Sequence, residues 1–264
     1  MYKQIGLYDL QEDILSKTTE SYCEMTKAEH GFLCGLIKKF QPGKVVEVGV
    51  AGGGTTAVVM KCLEAVSPDA KMYSVDISKE CYRRKGRQSG FQLEEVKEFL
   101  TNYKNHQFFL GKVLPKVIED IGGGIDFVIL DTVHAMPGEV LDFLCLLPYL
   151  KKDAVVVLHD VTLNLSRSEK AFATKILFDT VHADKYYNYK DQILNIAAFQ
   201  ITEHTLPAIA NVFSSLSVSW AYLPNLSDIM AYRDKYREFY EQECIDLFDI
   251  FLDAQYARFH RQEA

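Results

Sequence analysis

The stretch VVEVGVAGGGTT, residues 45–56, is an apolar run that changes abruptly into three consecutive glycines followed by two threonines. Its β-branched residues predict a buried strand over 44–50, and the run TTAVVMKCLEAV predicts a helix over 55–66. Consecutive apolar positions are typical of a strand covered on both faces, as in a parallel sheet. Ligands of such sheets bind beyond the carboxyl ends of the strands, where glycine lets the backbone approach closely. The turn therefore predicts a ligand crevice at this edge of the sheet.

Strand and helix patterns alternate along the rest of the chain. Further strands are predicted at 71–77, 106–111, 125–131, 153–161, 193–201 and 216–223. Helices are predicted at 93–103, 113–121, 137–150 and 166–182, with another helix before the last strand. Repeated β-α-β units require right-handed crossovers and parallel strands. The sequence therefore predicts an α/β fold: a Rossmann-like, doubly wound, seven-stranded mixed sheet whose last strand is antiparallel, with helices on both faces.

No repeat, low-complexity tract or linker divides the chain, which favours a single domain. We divide it into an N-terminal helical cap (1–43), a Rossmann-like core (44–223) and a C-terminal helix (224–264). Apolar residues recur at three- and four-residue steps through the last segment, which indicates one long amphipathic helix. That helix either packs on its own domain or provides the contact of a homo-oligomer.

Composition restricts the partners. The chain has 264 residues and a net charge of −7, which argues against the basic surface that nucleic-acid binding needs. Its first residues lack an apolar signal segment, and its apolar runs are shorter than the roughly 18 residues that span a bilayer. The six cysteines are scattered without metal-site spacing. We expect a cytoplasmic protein with reduced thiols, and neither a nucleic acid nor a membrane as partner.

Two cofactor classes use a glycine turn of this kind. A dinucleotide prefers G-x-G-x-x-G, whose middle glycine is replaced here by Ala51. The residues present are Glu47-x-Gly49-x-x-x-Gly53-x-Thr55, a pattern that resembles motif I of class I S-adenosylmethionine-dependent methyltransferases. A carboxylate beside the turn suits the cationic sulfonium and ammonium of that cofactor, whereas it suits a pyrophosphate poorly.

Acidic residues and histidines follow three of the predicted strands. Asp76 ends the second strand, where a carboxylate can accept both ribose hydroxyl hydrogens or can simply belong to a turn. Asp131 ends the fourth strand, and His159 and Asp160 end the fifth. Neighbouring strand ends lie about 5 Å apart, so these side chains can meet at one divalent ion. Because adjacent residues of a strand face opposite ways, His159 and Asp160 share an ion only if the strand breaks there.

The order of these residues is similar to that of one methyltransferase group. From the glycine turn through Asp76 and Gly111 to Asp131-x-x-His134 and His159-Asp160, the pattern of residues 44–161 resembles the cephalosporin-hydroxylase and macrocin or rhamnosyl O-methyltransferases. These are related to the catechol O-methyltransferase type. The resemblance implies that S-adenosylmethionine is bound by Glu47, Gly49, Ala51, Gly53, Thr55, Asp76, Ile77, Gly111 and Asp131.

The resemblance also implies a chemistry. Asp131, His159 and Asp160 would bind Mg²⁺, or Mn²⁺ because of the histidine, and His134 would be the general base. Such an ion lowers the pKa of an acceptor hydroxyl and orients it. The expected activity is therefore methyl transfer to a hydroxyl of a sugar or other small molecule. A histidine that hydrogen-bonds the backbone beside Asp160 would give the same sequence pattern as a ligand.

Three other functions stay open at this point. One is an NAD(P)-dependent oxidoreductase, which Ala51 and Asp131 disfavour. An iron-dependent hydroxylase is another, although no 2-His-1-carboxylate spacing is visible. The third is a non-catalytic nucleoside-binding or scaffold protein that uses its C-terminal helix. The basic loop at 83–87, RRKGR, is either a solvated turn or a contact for an anionic substrate.

Overall fold

The computed structural model describes residues 2–19, 23–166, 169–190 and 194–262. Its centre is a seven-stranded sheet of order β3-β2-β1-β4-β5-β7-β6. The strands are Lys44–Val48 (β1), Lys71–Asp76 (β2), His106–Leu110 (β3), Ile125–Leu130 (β4), Leu150–His159 (β5), Asp184–Tyr186 (β6) and Ile196–Gln200 (β7). Neighbours from β3 to β5 are parallel, and β7 is antiparallel to both β5 and β6. The predicted Rossmann-like mixed sheet with an antiparallel last strand is confirmed.

Helices cover both faces of this sheet. They are Gln11–Leu15 (α1), Lys27–Phe40 (α2), Gly54–Val66 (α3), Phe91–Val96 (α4), Ile118–Ile121 (α5), Gly138–Leu146 (α6), Ala173–Thr180 (α7), Ala210–Ser215 (α8), Leu226–Phe239 (α9) and Gln242–Gln262 (α10). Short 3₁₀ segments lie at Lys97–Phe99, Tyr103–Asn105, Leu114–Lys116, Leu147–Tyr149 and Leu163–Leu165. Apolar side chains of α1 to α4 form a core with one face of the sheet, and those of α5 to α10 form a core with the other. None of the helices in the described part of the chain is both long and apolar enough to cross a bilayer.

The strand predicted at 216–223 is wrong. This segment is irregular. The sheet still has seven strands because a short edge strand, β6, forms in a region where no strand is predicted. Leu216 and Trp220 are buried there, so their apolar character reflects packing rather than sheet formation. The side chain of Gln255, in α10, replaces a strand partner. Its Oε1 accepts the Trp220 N–H at 3.1 Å, and its Nε2 donates to the Val218 carbonyl at 2.9 Å.

The predicted long C-terminal helix is present as α10, but it begins at Gln242, and the segment before it forms a separate helix, α9. The chain leaves the helical conformation at Tyr240, which has extended backbone between α9 and α10. The Tyr240 hydroxyl donates to the carbonyl of Leu144, in α6, at 2.6 Å. Neither proline nor glycine marks this break, so the helical periodicity continues across it. The predicted helix at 93–103 is likewise shorter, because its regular part is α4. Of the prediction at 166–182, residues 167 and 168 lie outside the described part of the chain, and α7 is the helix within the rest.

Strand order determines which ends meet at the site. The pairing of β1 with β2 and β4, and of β4 with β5, places the carboxyl ends of these four strands side by side. β4 ends at Leu130, one residue before Asp131, and β5 ends at His159. The strand therefore does end between His159 and Asp160, and Asp160 has a left-handed backbone with φ of 61°. This is the break that a shared ligand site requires.

Candidate active site

A cavity of about 650 Å³ lies beyond the carboxyl ends of β1, β2, β4 and β5. The glycine turn after β1 forms one wall, and the residues that follow β2, β3 and β4 form others. Of the predicted site residues, those that line it are Gly49, Ala51, Gly53, Thr55, Asp76, Ile77, Asp131, His134 and Asp160. The crevice predicted from the glycine turn is therefore present.

The glycines of the turn make room for backbone from neighbouring segments. Gly49 has φ of 95°, and a Cβ there would lie 1.8 Å from the carbonyl oxygen of Asp131. Gly53 has φ of 83°, and its Cβ would lie 2.7 Å from the Cα of Gly90. Real Cβ atoms do not approach heavy atoms so closely, so both positions require glycine. The turn can then lie directly against the end of β4 and the loop that precedes α4.

Asp76 fixes the turn in place. Its Oδ2 accepts the backbone N–H groups of Val50 and Ala51 at 2.9 and 3.0 Å, and its Oδ1 accepts that of Ser78 at 2.7 Å. Each carboxylate oxygen has more than one lone pair, so these bonds leave acceptor capacity toward the cavity. The carboxylate thus organises the wall of the cavity, and its contact with a ribose stays a prediction.

Glu47 lies beneath the turn instead of lining the cavity. It is 1% exposed, and its Oε2 accepts hydrogen bonds from Thr56 and Ser74, each at 2.7 Å. Burial raises the pKa of Glu47 to about 8, despite the two hydroxyl donors that lower it. Its direct contact with a cofactor therefore stays a prediction, while its position shows how the acid of the motif supports the turn from below.

Three predicted residues form a compact polar cluster at the other side of the turn. His134 Nε2 lies 3.0 Å from Asp160 Oδ2 and 3.7 Å from Asp131 Oδ1. His134 has φ of 58°, so two residues of the cluster are in the left-handed region. In residues other than glycine, a left-handed backbone costs on the order of 1 kcal/mol per residue. The packing around the cluster must offset that cost. These backbone conformations let the side chains of the cluster point toward one another, whereas successive side chains of a regular strand point to opposite faces.

His159 contacts the same cluster from the buried side. It is 3% exposed, and its Nδ1 is 3.0 Å from Asp131 Oδ1 and 3.5 Å from Asp160 Oδ2. Its Nε2 lies 3.8 Å from Oε2 of Glu29, in the first turn of α2. The imidazole therefore lies between the carboxylates of Glu29 and Asp131, and its contact with Asp131 fixes the orientation of that side chain. Its service as a metal ligand stays a prediction.

Charge explains the protonation of this cluster. Burial by itself lowers the pKa of His134, but hydrogen bonds to Asp160 and Glu139 and the charge of Asp131 raise that pKa to about 10. For His159, burial is likewise outweighed by Asp131, Glu29 and Asp160, and its pKa is well above the usual range. Without a cation, both imidazoles therefore carry the positive charge that balances these acids.

The donor set fits a divalent ion. Ligand atoms of Asp131, His134 and Asp160 lie within 4.8 Å of one another, while His159 stands behind Asp131. The two carboxylates suit Mg²⁺ or Mn²⁺, and His134 lies beside them with an imidazole that could take a proton. The third member is thus the predicted base rather than the predicted ligand His159. Only the fold explains this, because both histidines follow strand ends in the sequence.

Ile77 and Gly111, two further predicted cofactor residues, have different surroundings. Ile77 lines the cavity and is 68% exposed, so it offers an apolar face to a ligand. Gly111 has φ of 73°, and the side chain of Lys79 covers it, because a Cβ there would lie 2.7 Å from two carbons of that lysine. Its neighbours Val113 and Leu114 line the cavity in its place. The contact of Gly111 with adenine stays a prediction.

The cavity is closed by residues to which no sequence motif points. On one side, Cys23 and Glu24 precede α2, and the Glu24 carboxylate accepts hydrogen bonds from Tyr82 Oη at 2.6 Å and Arg83 Nε at 3.0 Å. The basic loop is thus joined to the N-terminal segment at the cavity mouth. Arg87, in the same loop, pairs with Glu95. No spacing in the sequence relates Glu24 to this loop, since the contact joins distant segments.

The C-terminal region closes the other side. Residues between Trp220 and α9, and the first two turns of α9, reach the cavity beside α6. The lining residues on this side are Leu141, Asp142, Tyr222, Leu223, Pro224, Asn225, Asp228 and Tyr232. The amphipathic pattern of α9 showed that it packs against something, but periodicity cannot show that it reaches a ligand crevice.

The fold and the site define a Rossmann-like protein with an acid–histidine cluster beside its glycine turn. Residues 46–161 match the family model of a methyltransferase domain. This segment therefore matches a methyltransferase domain, the class of domain that its motif predicts. No curated protein matches the chain.

Solved structures agree with the fold. The O-methyltransferase TomG from Streptomyces achromogenes, involved in tomaymycin synthesis and solved with S-adenosylmethionine, is 16% identical, with a TM-score of 0.50 over 67% of this chain and 81% of its own. The methyltransferase PaMTH1 from Podospora anserina, solved with S-adenosylhomocysteine, is 8% identical, with a TM-score of 0.51 over 73% of this chain and 86% of its own. At these identities the likeness extends to the fold alone.

Proposed function

We propose that this protein transfers the methyl group of S-adenosylmethionine to a hydroxyl of a sugar or another small molecule, with Mg²⁺ or Mn²⁺ bound beside the acceptor. The observation that carries the proposal is the cluster of Asp131, Asp160 and His134 in the same cavity as the glycine turn. A methyl donor placed along the turn would have its sulfonium near this cluster. An acceptor oxygen could then occupy the space between them.

The residues of the cluster have separate roles in this proposal. Asp131 and Asp160 would hold the ion, which supplies a lowered pKa at the acceptor hydroxyl. His134 takes the hydroxyl proton as the oxygen attacks the methyl carbon and the carbon–sulfur bond breaks. Asp160 and Asp131, which would bind the cation, are two of the three acids that raise the pKa of His134 to about 10; the third is Glu139. A cation there offsets their charge and favours the neutral imidazole that a base requires.

Positioning comes from groups around the cluster. His159 hydrogen-bonds Asp131, and the side-chain amide of Asn195 donates to Oδ1 of Asp160. The backbone N–H of His134 donates to Glu139 at 2.7 Å. Aligning the acceptor oxygen and the methyl carbon supplies a large part of the acceleration in such a displacement. These hydrogen bonds hold Asp131, His134 and Asp160 in place, and those residues would align the acceptor oxygen with the methyl carbon.

The proposal also covers where the reaction takes place, how the protein self-associates and where the acceptor enters. We place the reaction in the cytoplasm, in line with the six free cysteines. Self-association would use exposed apolar residues of the C-terminal helices, such as Phe239 and Ile250. The acceptor would enter between Glu24, Tyr82 and Leu163, which line the mouth of the cavity on the side of the cluster.

The experiment combines ligand binding with turnover. Thermal unfolding is measured with S-adenosylmethionine, S-adenosylhomocysteine or NAD, each with Mg²⁺, Mn²⁺ or EDTA. A ligand at 100 times its Kd adds about 2.7 kcal/mol to the free energy of unfolding, which shifts the midpoint visibly. Methyl transfer from labelled donor is then measured on a panel of sugars and vicinal diols. We expect stabilisation by the two sulfur nucleosides and methylation that EDTA suppresses.

Variants separate the parts of the proposal. Asp131→Ala should abolish the metal dependence and methyl transfer, whereas Asp179→Ala, an exposed acid paired with Lys175 in α7, should leave both unchanged. Stabilisation by NAD alone would refute the methyl-transfer proposal. If the two sulfur nucleosides bind and methyl transfer is equally fast in EDTA, the metal dependence is refuted and the methyl-transfer function stands.

A further inference from the structure

The cavity extends past the space that a ribose at Asp76 would occupy. Ile77 follows Asp76 on one side, and Val133 follows the end of β4 on the other; the two side chains are 68% and 46% exposed. Both line the cavity, and large exposed apolar side chains suit contact with a flat aromatic ring. If the proposed function holds, the adenine lies there, and its outer edge points toward α6 and the C-terminal region.

The outer edge of adenine needs an acceptor for its 6-amino group. Lys112, the charged residue that lines the cavity after β3, can only donate. Asn225 and Asp228 also line this end, but they are engaged with each other and with neighbours. Asn225 Oδ1 accepts from the Asp228 N–H at 3.0 Å, and the Asp228 carboxylate accepts from Lys116 and from the Asn225 side-chain amide.

Asp142 is an acid at this end of the cavity that lacks the several partners of Asp228. It lies in α6, is 6% exposed and lines the cavity. The hydroxyl of Tyr232, in α9, donates to its Oδ1. Within the described part of the chain this is the one hydrogen bond found for the Asp142 side chain, and no cation is paired with it. A buried carboxyl without a cation gains most from further N–H donors, and its free Oδ2 is where a ligand can supply one.

We propose that Asp142 accepts a hydrogen bond from the 6-amino group of adenine and is oriented by Tyr232, which lies outside the segment that matches the methyltransferase model. Tyr232 acts as a positioning residue because it holds Oδ1 and leaves Oδ2 for the ligand. Tyr222 and Leu223 close the pocket over the same edge. Helix α9 thereby becomes part of the cofactor site instead of only packing against the domain.

The test uses two nucleosides that differ at one group. Isothermal titration compares S-adenosylhomocysteine with the analogue in which hydrogen replaces the 6-amino group. Because burial raises the pKa of Asp142 to about 7, the titration is run at about pH 8.5, where the carboxylate is mostly ionised. Loss of a hydrogen bond to this carboxylate should weaken binding by about 10- to 100-fold in the wild-type protein. In Asp142→Leu, which removes the acceptor, the two ligands should bind within about threefold of each other. Asp253→Asn, an exposed acid of α10, is the control and should keep the wild-type ratio.

A ratio of affinities is not moved by a general loss of stability, so it separates recognition from folding. If Asp142→Leu does not fold, Asp142→Asn replaces it; that variant has the same shape but no charge, and its ratio should fall at least about threefold. Equal affinity of the two ligands for the wild type, or a wild-type ratio in the folded variant, would overturn the proposal while the methyltransferase function stands. A wild type that binds neither ligand would overturn both.

Discussion

Substituting Gly49 by alanine tests the geometry on which the site depends. A Cβ at this position would lie 1.8 Å from the carbonyl oxygen and 2.6 Å from the carbonyl carbon of Asp131. Both are backbone atoms at the end of β4, so no side-chain rotation relieves the overlap. Gly86 is a matched control, because its φ of 77° is also positive but no atom lies within 4 Å of its Cβ position.

The two substitutions separate backbone strain from steric overlap. Gly86→Ala should cost only the left-handed strain, about 1 kcal/mol. Gly49→Ala adds an overlap of more than 1 Å with backbone, so we expect a loss of about 3 kcal/mol or more. The measurement is urea unfolding of both variants and the wild type, with comparison of the midpoints at equal slope.

Function should follow the same order. Since Gly49→Ala displaces the backbone of Asp131, affinity for S-adenosylhomocysteine should fall at least about tenfold even under conditions in which the variant is folded. Gly86→Ala should bind like the wild type. Equal losses of stability in the two variants would refute the argument that the close approach of β4, rather than φ, requires glycine at this position.

Two further predictions concern buried polar groups. Glu47 has a folded-state pKa of about 8, above its unfolded value, so its contribution to stability is present at low pH and lost as pH rises through 8. Between pH 7 and 9, Glu47→Gln should therefore gain about 1 kcal/mol relative to the wild type in urea unfolding; a constant difference would contradict the raised pKa. Gln255→Ala leaves the Trp220 N–H and the Val218 carbonyl without their partner. We expect a loss of about 2 to 4 kcal/mol, against less than about 0.5 kcal/mol for the exposed Gln242→Ala, and equal losses would contradict it.

The glycine turn and the strand ends were readable from the sequence because their signals are local. β-branched runs, glycines and strand-end acids each specify a conformation or a chemistry within a few residues. Alternation of strands and helices then limits the topology to a doubly wound sheet. This is why Gly49, Asp76, Asp131 and Asp160 lie at one cavity, as predicted.

Errors arose where a pattern had two physical explanations. Apolar residues at 216–223 anchor an irregular segment through Gln255, although they read as a strand. The helical periodicity through Tyr240 continues across a real break, which a hydrogen bond to Leu144 accompanies. His134 and His159 both follow strand ends, and both contact the two acids. His134 lines the cavity and His159 is buried, and the role of His159 as a metal ligand stays a prediction.

By itself the sequence determined the class of fold, the glycine turn and the chemical type of the cluster, since each follows from local conformational preference or from the identity of a side chain. Tertiary structure alone decided from which side each histidine contacts the acids, that Glu24 joins the basic loop beside the cavity, and that Asp142 and α9 reach the same cavity. Those contacts join residues far apart in the chain. They depend on how helices pack against the sheet, and no spacing along the sequence encodes that packing.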